Sequence, residues 1–325
     1  MYYIGVDLGG TNIAIGIVNE ELKMIDKGSV PTKADRDPEL IIKDMADLAA
    51  RLLDKNNIPL SDVAYVGIAS PGIANCDDGV IEYTNNIPFL HFPIAQIFTK
   101  YLPVKKVYVE NDANAAAVGE AIAGVAKGTK HSMMITLGTG VGGGVLIDRR
   151  VYSGFNHAGA ELGHTVIVKD GRQCSCGRRG CFEAYSSATA LSKMTEEKLN
   201  ECRIKSIPTL MTEEVESNGG RINARIAFNA MKRGDAVATE LVREYISYLA
   251  CGLTNMINIF QPEVLSIGGG ISGEKDFLLQ PLLAIIDREQ YNRDLAPHLK
   301  TKIMIASLGN DAGIIGAACL GMQNF

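Results

Sequence analysis

Apolar residues alternate at 3–6, break at Asp7-Leu8-Gly9-Gly10-Thr11-Asn12, and resume at 13–18. The pattern predicts a strand, a glycine turn and a returning strand. Ile41, Met45, Leu48 and Leu52 recur at spacings of four, three and four, which is one face of a helix over 37–53. Residues 63–69 read as a buried strand ending at Ser70-Pro71-Gly72. Residues 106–109 read as another, ending at Glu110-Asn111-Asp112 before a small-residue helix over 113–123. Roughly halfway along, the opening pattern returns: an apolar run at 133–137, a glycine turn over 138–144, and a second run at 145–147. Two such units suggest an internal duplication. A long helix follows over 235–260, with Leu241, Tyr245, Leu249, Leu253 and Ile257 on one face and Pro262 as its stop. A strand at 264–267 runs into Gly268-Gly269-Gly270. A short strand at 303–306 then precedes Gly309-Asn310-Asp311 and a Gly/Ala-rich helix through Leu320. Strands that alternate with helices but include hairpins predict an α/β fold built on mixed sheet.

Composition narrows the classes. With 46% hydrophobic and 21% charged residues, 325 residues suffice for one large domain or two joined lobes. Asp and Glu number 37 against 32 Lys and Arg, so the net charge of -5 disfavours nucleic acid as a partner. No apolar run approaches the roughly 18 residues of a membrane helix, and the start carries neither basic leader nor cleavage site. The expectation is a cytoplasmic protein. The seven cysteines are unevenly spread: Cys174, Cys176 and Cys181 crowd together while Cys76, Cys202, Cys251 and Cys319 are scattered. That spacing favours a metal site in a reduced compartment over a disulfide framework.

Four groups of residues carry candidate chemistry. Glycine turns offer convergent backbone N–H groups to a phosphate, and a threonine hydroxyl adds a donor. Both turns contain such a threonine, and Asp7 adds a carboxylate where Mg²⁺ would sit between phosphates. The plain alternative is a pair of tight hairpins. The run Gly138-Thr139-Gly140-Val141-Gly142-Gly143 also matches a dinucleotide fingerprint, but a strand follows it where that site needs a helix. Asp112, entering a helix from a strand end, would accept a proton from an attacking hydroxyl, or else would cap the helix. His164, Cys174, Cys176 and Cys181 form a complete tetrahedral zinc set, closed and therefore structural, against the alternative of three free thiols. Glu161 and Glu183 flank that cluster and would accept from neighbouring sugar hydroxyls, unless they are only solvated surface carboxylates.

In this order, Asp7-Leu8-Gly9-Gly10-Thr11, Glu110-Asn111-Asp112-Ala113-Asn114-Ala115, residues 137–144, Glu161-Leu162-Gly163-His164 and Cys174-x-Cys176-Gly177-x-x-Gly180-Cys181-x-Glu183 resemble the ROK family, and most closely its bacterial glucokinases. The resemblance runs from residue 4 to 320, and the zinc motif with its preceding Glu-x-Gly-His is its most specific part. It implies an actin-like, ribonuclease-H-like pair of lobes with an ATP and sugar cleft between them. Residues 1–117 plus about 300–325 would form the smaller lobe, and 118–299 the larger lobe with the zinc loop.

The resemblance also implies roles. ATP would lie against Asp7, Gly9, Gly10, Thr11, Asn12, Gly138, Thr139 and Gly140, with Gly269, Gly270 and the 309–313 loop on the nucleoside side. Asp112 would be the base facing the sugar 6-hydroxyl. Gly72, Asn86, Asn111, Glu161, His164 and Glu183 would hold the other hydroxyls, with His164 also on zinc. Family members often carry an aromatic, frequently tryptophan, after the Asn-x-Pro element. Here Asn86-Ile87-Pro88 is followed by Phe89-Leu90-His91-Phe92. The implied activity is ATP-dependent phosphorylation of an aldohexose at O6, glucose first, in a homodimer or higher homo-oligomer. Rivals are a kinase for N-acetylmannosamine, N-acetylglucosamine, fructose or allose, and a sugar-responsive regulator. The regulator would need a DNA-binding segment before residue 7.

Overall fold

The computed structural model describes residues 1–322, and 323–325 lie outside the described residues. The chain begins with β1 (Tyr2–Leu8), β2 (Asn12–Asn19) and β3 (Met24–Pro31), followed by α1 (Pro38–Lys55) and β4 (Val63–Ser70). Three short strands, β5 (Ile73–Asn75), β6 (Val80–Tyr83) and β7 (Leu90–Phe92), make a small antiparallel sheet. Then come α2 (Ile94–Tyr101), β8 (Val107–Asn111) and α3 (Asp112–Ala123). The second half repeats the opening with β9 (Ser132–Leu137), β10 (Val141–Ile147) and β11 (Arg150–Val151). Helices α4 (Glu183–Ser186), α5 (Ala188–Lys205), α6 (Met211–Ser217), α7 (Arg225–Lys232) and α8 (Ala236–Phe260) follow. The chain continues through β12 (Val264–Gly268), α9 (Asp276–Glu289), β13 (Lys302–Ile305) and α10 (Ala312–Cys319).

The two five-stranded sheets have one topology. The first runs β3-β2-β1-β4-β8 and the second β11-β10-β9-β12-β13. In the first, β1 to β3 form an antiparallel meander, and β4 and β8 add in parallel. In the second, β10 and β11 pair antiparallel and β12 and β13 parallel. This is the ribonuclease-H-like order twice over, so the duplication suggested by the glycine turns extends to both sheets.

The chain divides into two compact units. Unit 1 holds Met1–Met134, Gly144–Ala160 and the residues from Ala306 onward; unit 2 holds Ile135–Gly143 and Glu161–Ile305. The expected boundary after residue 117 would cut α3. The helix instead stays whole in unit 1, because Ala117, Val118 and Ala121 are buried in one cluster with Ala317 and Leu320. Unit 1 packs Ile4, Val6, Ile13 and Ile15 against Ile41, Met45 and Leu52 of α1. On the other side the α10 backbone lies directly on the sheet. A Cβ at Gly5 would meet the Ile314 carbonyl oxygen at 1.9 Å, and one at Gly67 would meet that of Ala317 at 1.8 Å. In unit 2 the long helix α8 buries Leu241, Tyr245, Leu249 and Leu253, and Tyr245 donates to the Ser186 carbonyl at 2.6 Å. Among the described residues no helix is long and apolar enough to cross a membrane.

One local reading is corrected. The second glycine turn is short, because Val141 to Gly144 belong to β10. Their glycines serve packing: a Cβ at Gly143 would meet Leu162 at 2.7 Å, and one at Gly144 would meet Ala117 at 2.6 Å.

Candidate active site

Unit 1 holds a glycine turn, a half-buried aspartate and a helix N-terminus. The turn at residues 9–12 closes with the Gly9 N–H on the Asn12 carbonyl at 2.9 Å. Thr32, fully buried at the end of β3, braces it twice. Its hydroxyl donates to the Gly9 carbonyl at 2.6 Å, and its N–H donates to the Thr11 carbonyl at 2.8 Å. Gly10, Thr11 and Asn12 remain exposed. Gly10 packs beside Asn86, where an added Cβ would come within 3.3 Å of the asparagine Cβ. Asp7, next to last in β1, faces the start of α10: a Cβ at Gly313 would fall 2.5 Å from its Oδ2. Burial alone raises the Asp7 pKa.

The Asn111-Asp112 pair divides its roles. Asn111 is the cap of α3, its Oδ1 accepting from the N–H groups of Ala113 at 2.9 Å and Asn114 at 3.2 Å. Its Nδ2 donates to the Gly72 carbonyl at 3.0 Å, which leaves one amide hydrogen for a ligand. Gly72 takes φ 87°, and a Cβ there would strike the Tyr83 carbonyl oxygen at 2.0 Å. Asp112 is therefore the first helical residue and not the cap. Its carboxylate is exposed, with Oδ1 accepting from the Ala113 N–H at 2.8 Å. Behind the pair, Glu110 is 4% exposed. Burial raises its pKa against the opposing pull of the Asn111 N–H, Asn114, Cys76 and His157. Asn86 is exposed, in a turn tied by the Thr84 hydroxyl to Ile87. Phe89, in the stretch where the family's aromatic was expected, is a core residue stacked on Phe92 at 4.5 Å.

Unit 2 holds the second turn, a cavity and a Cys/His cluster that could hold a metal ion. The turn closes with the Gly138 N–H on the Gly140 carbonyl at 3.0 Å. The first residues of α5 hold it: the Ala188 N–H donates to the Gly138 carbonyl at 2.8 Å, and the Thr189 hydroxyl to that of Thr139 at 2.7 Å. Glu183 holds its far side. Glu183 Oε2 accepts from the Val141 N–H at 3.0 Å, and a Cβ at Gly140 would meet that oxygen at 2.3 Å.

Beside this turn lies a cavity of 360 Å³ lined by Thr139, Thr189, Ser192, Asn223, Phe228 and Glu274, with Ala188, Ala224, Arg225, Gly270 and Ile271 completing the wall. Thr139 and Gly270 were anticipated. Gly269 stands next to the wall at φ 83°, with the Leu137 backbone 2.5 Å from where its Cβ would be. The residues from α5 and α7 carry no motif and were missed. The 309–313 loop belongs to unit 1, where Asp311 pairs with Lys27 at 2.7 Å and Gly313 faces Asp7.

His164, Cys174, Cys176 and Cys181 converge, their ligand atoms all within 4.8 Å of one another. The Cys176 and Cys181 sulfurs are 3.7 Å apart, and His164 Nδ1 is 3.7 Å from Cys174 Sγ. A tetrahedron with metal–sulfur bonds of about 2.3 Å has edges of about 3.8 Å, so donor chemistry and spacing fit zinc. Gly177 and Gly180 supply the tight turns at φ 88° and 83°. Gly163 lays the Glu161-to-His164 stretch on β10, since its Cβ would meet the Val141 carbonyl oxygen at 2.1 Å. Glu161 is exposed. Glu183 is no free surface carboxylate: its Oε1 accepts from the Ser175 hydroxyl at 3.0 Å, inside the cysteine-rich loop.

A model of the ROK family matches residues 3–324. Glucokinase from Halalkalibacterium halodurans is 33% identical over 325 residues, covering 99% of this chain and 95% of the relative. Glucokinase from Thermotoga maritima is 35% identical over 320 residues, covering 98% and 96%. The crystal structure of a ROK family glucokinase from Streptomyces griseus in complex with glucose and AMPPNP superposes with a TM-score of 0.82 at 32% identity. It covers 99% of this chain and 100% of that one. With both sheets, both turns and the Cys/His set in place along its whole length, this chain is a member of the ROK family.

Proposed function

We propose that this chain is an ATP-dependent hexose kinase that phosphorylates an aldohexose, glucose first, at O6. The observation that carries the reading is the state of Asp112. Asn111 does the capping, so the aspartate stands at the head of α3 with an exposed carboxylate. Full-length similarity to glucokinases, and to a glucokinase structure with glucose and AMPPNP, supports the substrate pair.

Asp112 takes the proton from the 6-hydroxyl as O6 attacks the γ-phosphorus of ATP. The O6–P bond forms, the bond to the β–γ bridging oxygen breaks, and its electron pair leaves with ADP. Each glycine turn by itself offers N–H and hydroxyl donors to phosphate: Gly9, Gly10, Thr11 and Asn12 in unit 1, and Gly138, Thr139 and Gly140 in unit 2. The cavity at Thr139, Ser192, Phe228 and Gly270, with Gly269 beside it, takes the nucleoside. Gly72, Asn86, the remaining amide hydrogen of Asn111, Glu161, His164 and Glu183 hold the other sugar groups. Burial raises the pKa of the half-buried Asp7, and a cation beside it would oppose that rise. Asp7 would hold Mg²⁺ through water, which supplies charge neutralisation on the phosphates. His164, Cys174, Cys176 and Cys181 would hold zinc as a closed structural ion, which supplies a cross-link and a fixed imidazole tautomer.

ADP release with ATP and Mg²⁺ across glucose, mannose, fructose, allose, N-acetylglucosamine, N-acetylmannosamine and 6-deoxyglucose tests the reading. Turnover on glucose and none on 6-deoxyglucose is expected. A dominant N-acetyl sugar would keep the chemistry and move the substrate, and silence on every sugar would end the kinase reading. Asp112→Asn should lower kcat by roughly 1,000-fold or more while glucose binding stays within about threefold. Turnover within tenfold of the unaltered protein would remove Asp112 as the base.

A further inference from the structure

Unit 1 has a polar cluster behind Asn111 and Asp112, with Glu110 and Asn114 buried and Cys76 partly so, that the transfer chemistry above does not use. Glu110, Cys76 and Asn114 meet there. Glu110 Oε1 accepts from the Asn111 N–H at 2.8 Å and from Asn114 Nδ2 at 3.1 Å. Its Oε2 accepts from the Cys76 thiol at 3.3 Å. Burying a carboxylate is costly, and an apolar residue would fill the same volume without that cost. Three donors on two oxygens offset it and also fix the carboxylate in one orientation. Burial first, and the neighbouring Glu110 second, push the Cys76 thiol up, so it stays protonated and remains a donor.

The backbone group that Glu110 grips is the one where β8 becomes α3. The Asn111 N–H points back to Glu110 while the Asn111 side chain caps the helix and reaches the Gly72 carbonyl. The next residue is Asp112. Its carboxylate is short, so its direction follows from the backbone at 111 and 112. A shift of about 1 Å at a reacting group costs roughly 100-fold in rate.

We propose that Glu110 is a positioning residue for phosphoryl transfer: it fixes the strand-to-helix junction that aims Asp112, and Cys76 is the donor that holds its second oxygen in place. The proposal rests on the reading of Asp112 as the base. Neither Glu110 nor Cys76 touches the hexose or ATP in this scheme, so kcat should respond and substrate KM should not.

Glu110→Gln keeps the size of the side chain but leaves one acceptor oxygen where three donors converge. It should lower kcat roughly 10- to 100-fold, with glucose KM within about threefold and the rise in Tm on adding glucose retained. A lower Tm with unchanged kcat would make Glu110 merely structural and overturn the proposal. Cys76 gives an independent arm should Glu110→Gln fail to fold. Cys76→Ala should lower kcat roughly fivefold, and Cys76→Ser, which keeps a donor, should recover most of it. Equal kcat in both variants and the unaltered protein would overturn the role of Cys76. In an Asp112→Asn background, Glu110→Gln should change the residual rate by less than about twofold, because its effect passes through Asp112. A full multiplicative loss there would overturn the proposal. Failure of the Asp112 reading itself would appear separately, as turnover retained by Asp112→Asn alone.

Discussion

The two glycine turns occupy equivalent places in their sheets, yet they are held by different means. The turn at residues 9–12 is braced from within its own sheet, by the hydroxyl and N–H of Thr32 at the end of β3. The turn at residues 138–140 is held by other elements. The head of α5 holds one side and the Glu183 carboxylate the other, and that carboxylate also accepts from Ser175 in the cysteine-rich loop. Duplicated topology has therefore kept the turn and replaced its support. The first turn depends on a rigid sheet edge. The second depends on the loop that carries the three cysteines.

The largest expected effect comes from Gly163→Ala, which attacks the second support directly. Its Cβ would sit 2.1 Å from a backbone oxygen of β10, and backbone cannot step aside as a side chain can. Thermal denaturation should show a loss of about 3 kcal/mol or more. A Tm within about 2 °C of the unaltered protein would mean that this stretch does not rest on β10. A smaller effect is expected when a chelator strips the metal proposed for His164, Cys174, Cys176 and Cys181, or when Cys176 is changed to Ser. Tm should fall and glucose KM should rise together, and zinc should restore both in the chelated protein. Metal content and Tm that stay unchanged in Cys176→Ser would detach the turn from the loop. Smallest is Thr32→Val, which removes one buried hydrogen bond and leaves the Gly9 carbonyl short of a partner. About 1 kcal/mol of stability and a few-fold rise in the KM for ATP are expected, with glucose KM unmoved. A loss as large as that of Gly163→Ala would erase the contrast between the two supports.

What could be read in advance follows the same division between local and assembled features. The strand–turn–strand units, the Cys/His spacing and the helix faces at Ile41 and Leu241 are properties of short stretches, and the folded chain keeps them. The third strand, β3, escaped because none of its residues is fully buried. It is an edge strand whose place comes from pairing with β2. The cap offered to Asp112 went to Asn111 because capping depends on where β8 ends, and a one-residue difference moves the role. The cavity residues Ser192, Asn223, Phe228 and Glu274 were illegible for a stronger reason. They come from elements far apart in the chain, and each is an ordinary residue in its own helix or loop. Glu183 was singled out for sugar contact. Its grip on Val141 was invisible, because nothing in the sequence brings residue 183 to residue 141.

The close seat of α10 on β1 and β4 has a consequence for synthesis. Every residue of unit 2 lies between the first 134 residues and this helix, so a ribosome finishes all of unit 2 before it makes the piece that completes unit 1. Until then Gly5 and Gly67 leave a bare strip of sheet backbone with no side chains over it. The part of the protein made first is the part completed last. An emerging chain must keep that strip from pairing wrongly for the whole time it takes to build residues 135–305.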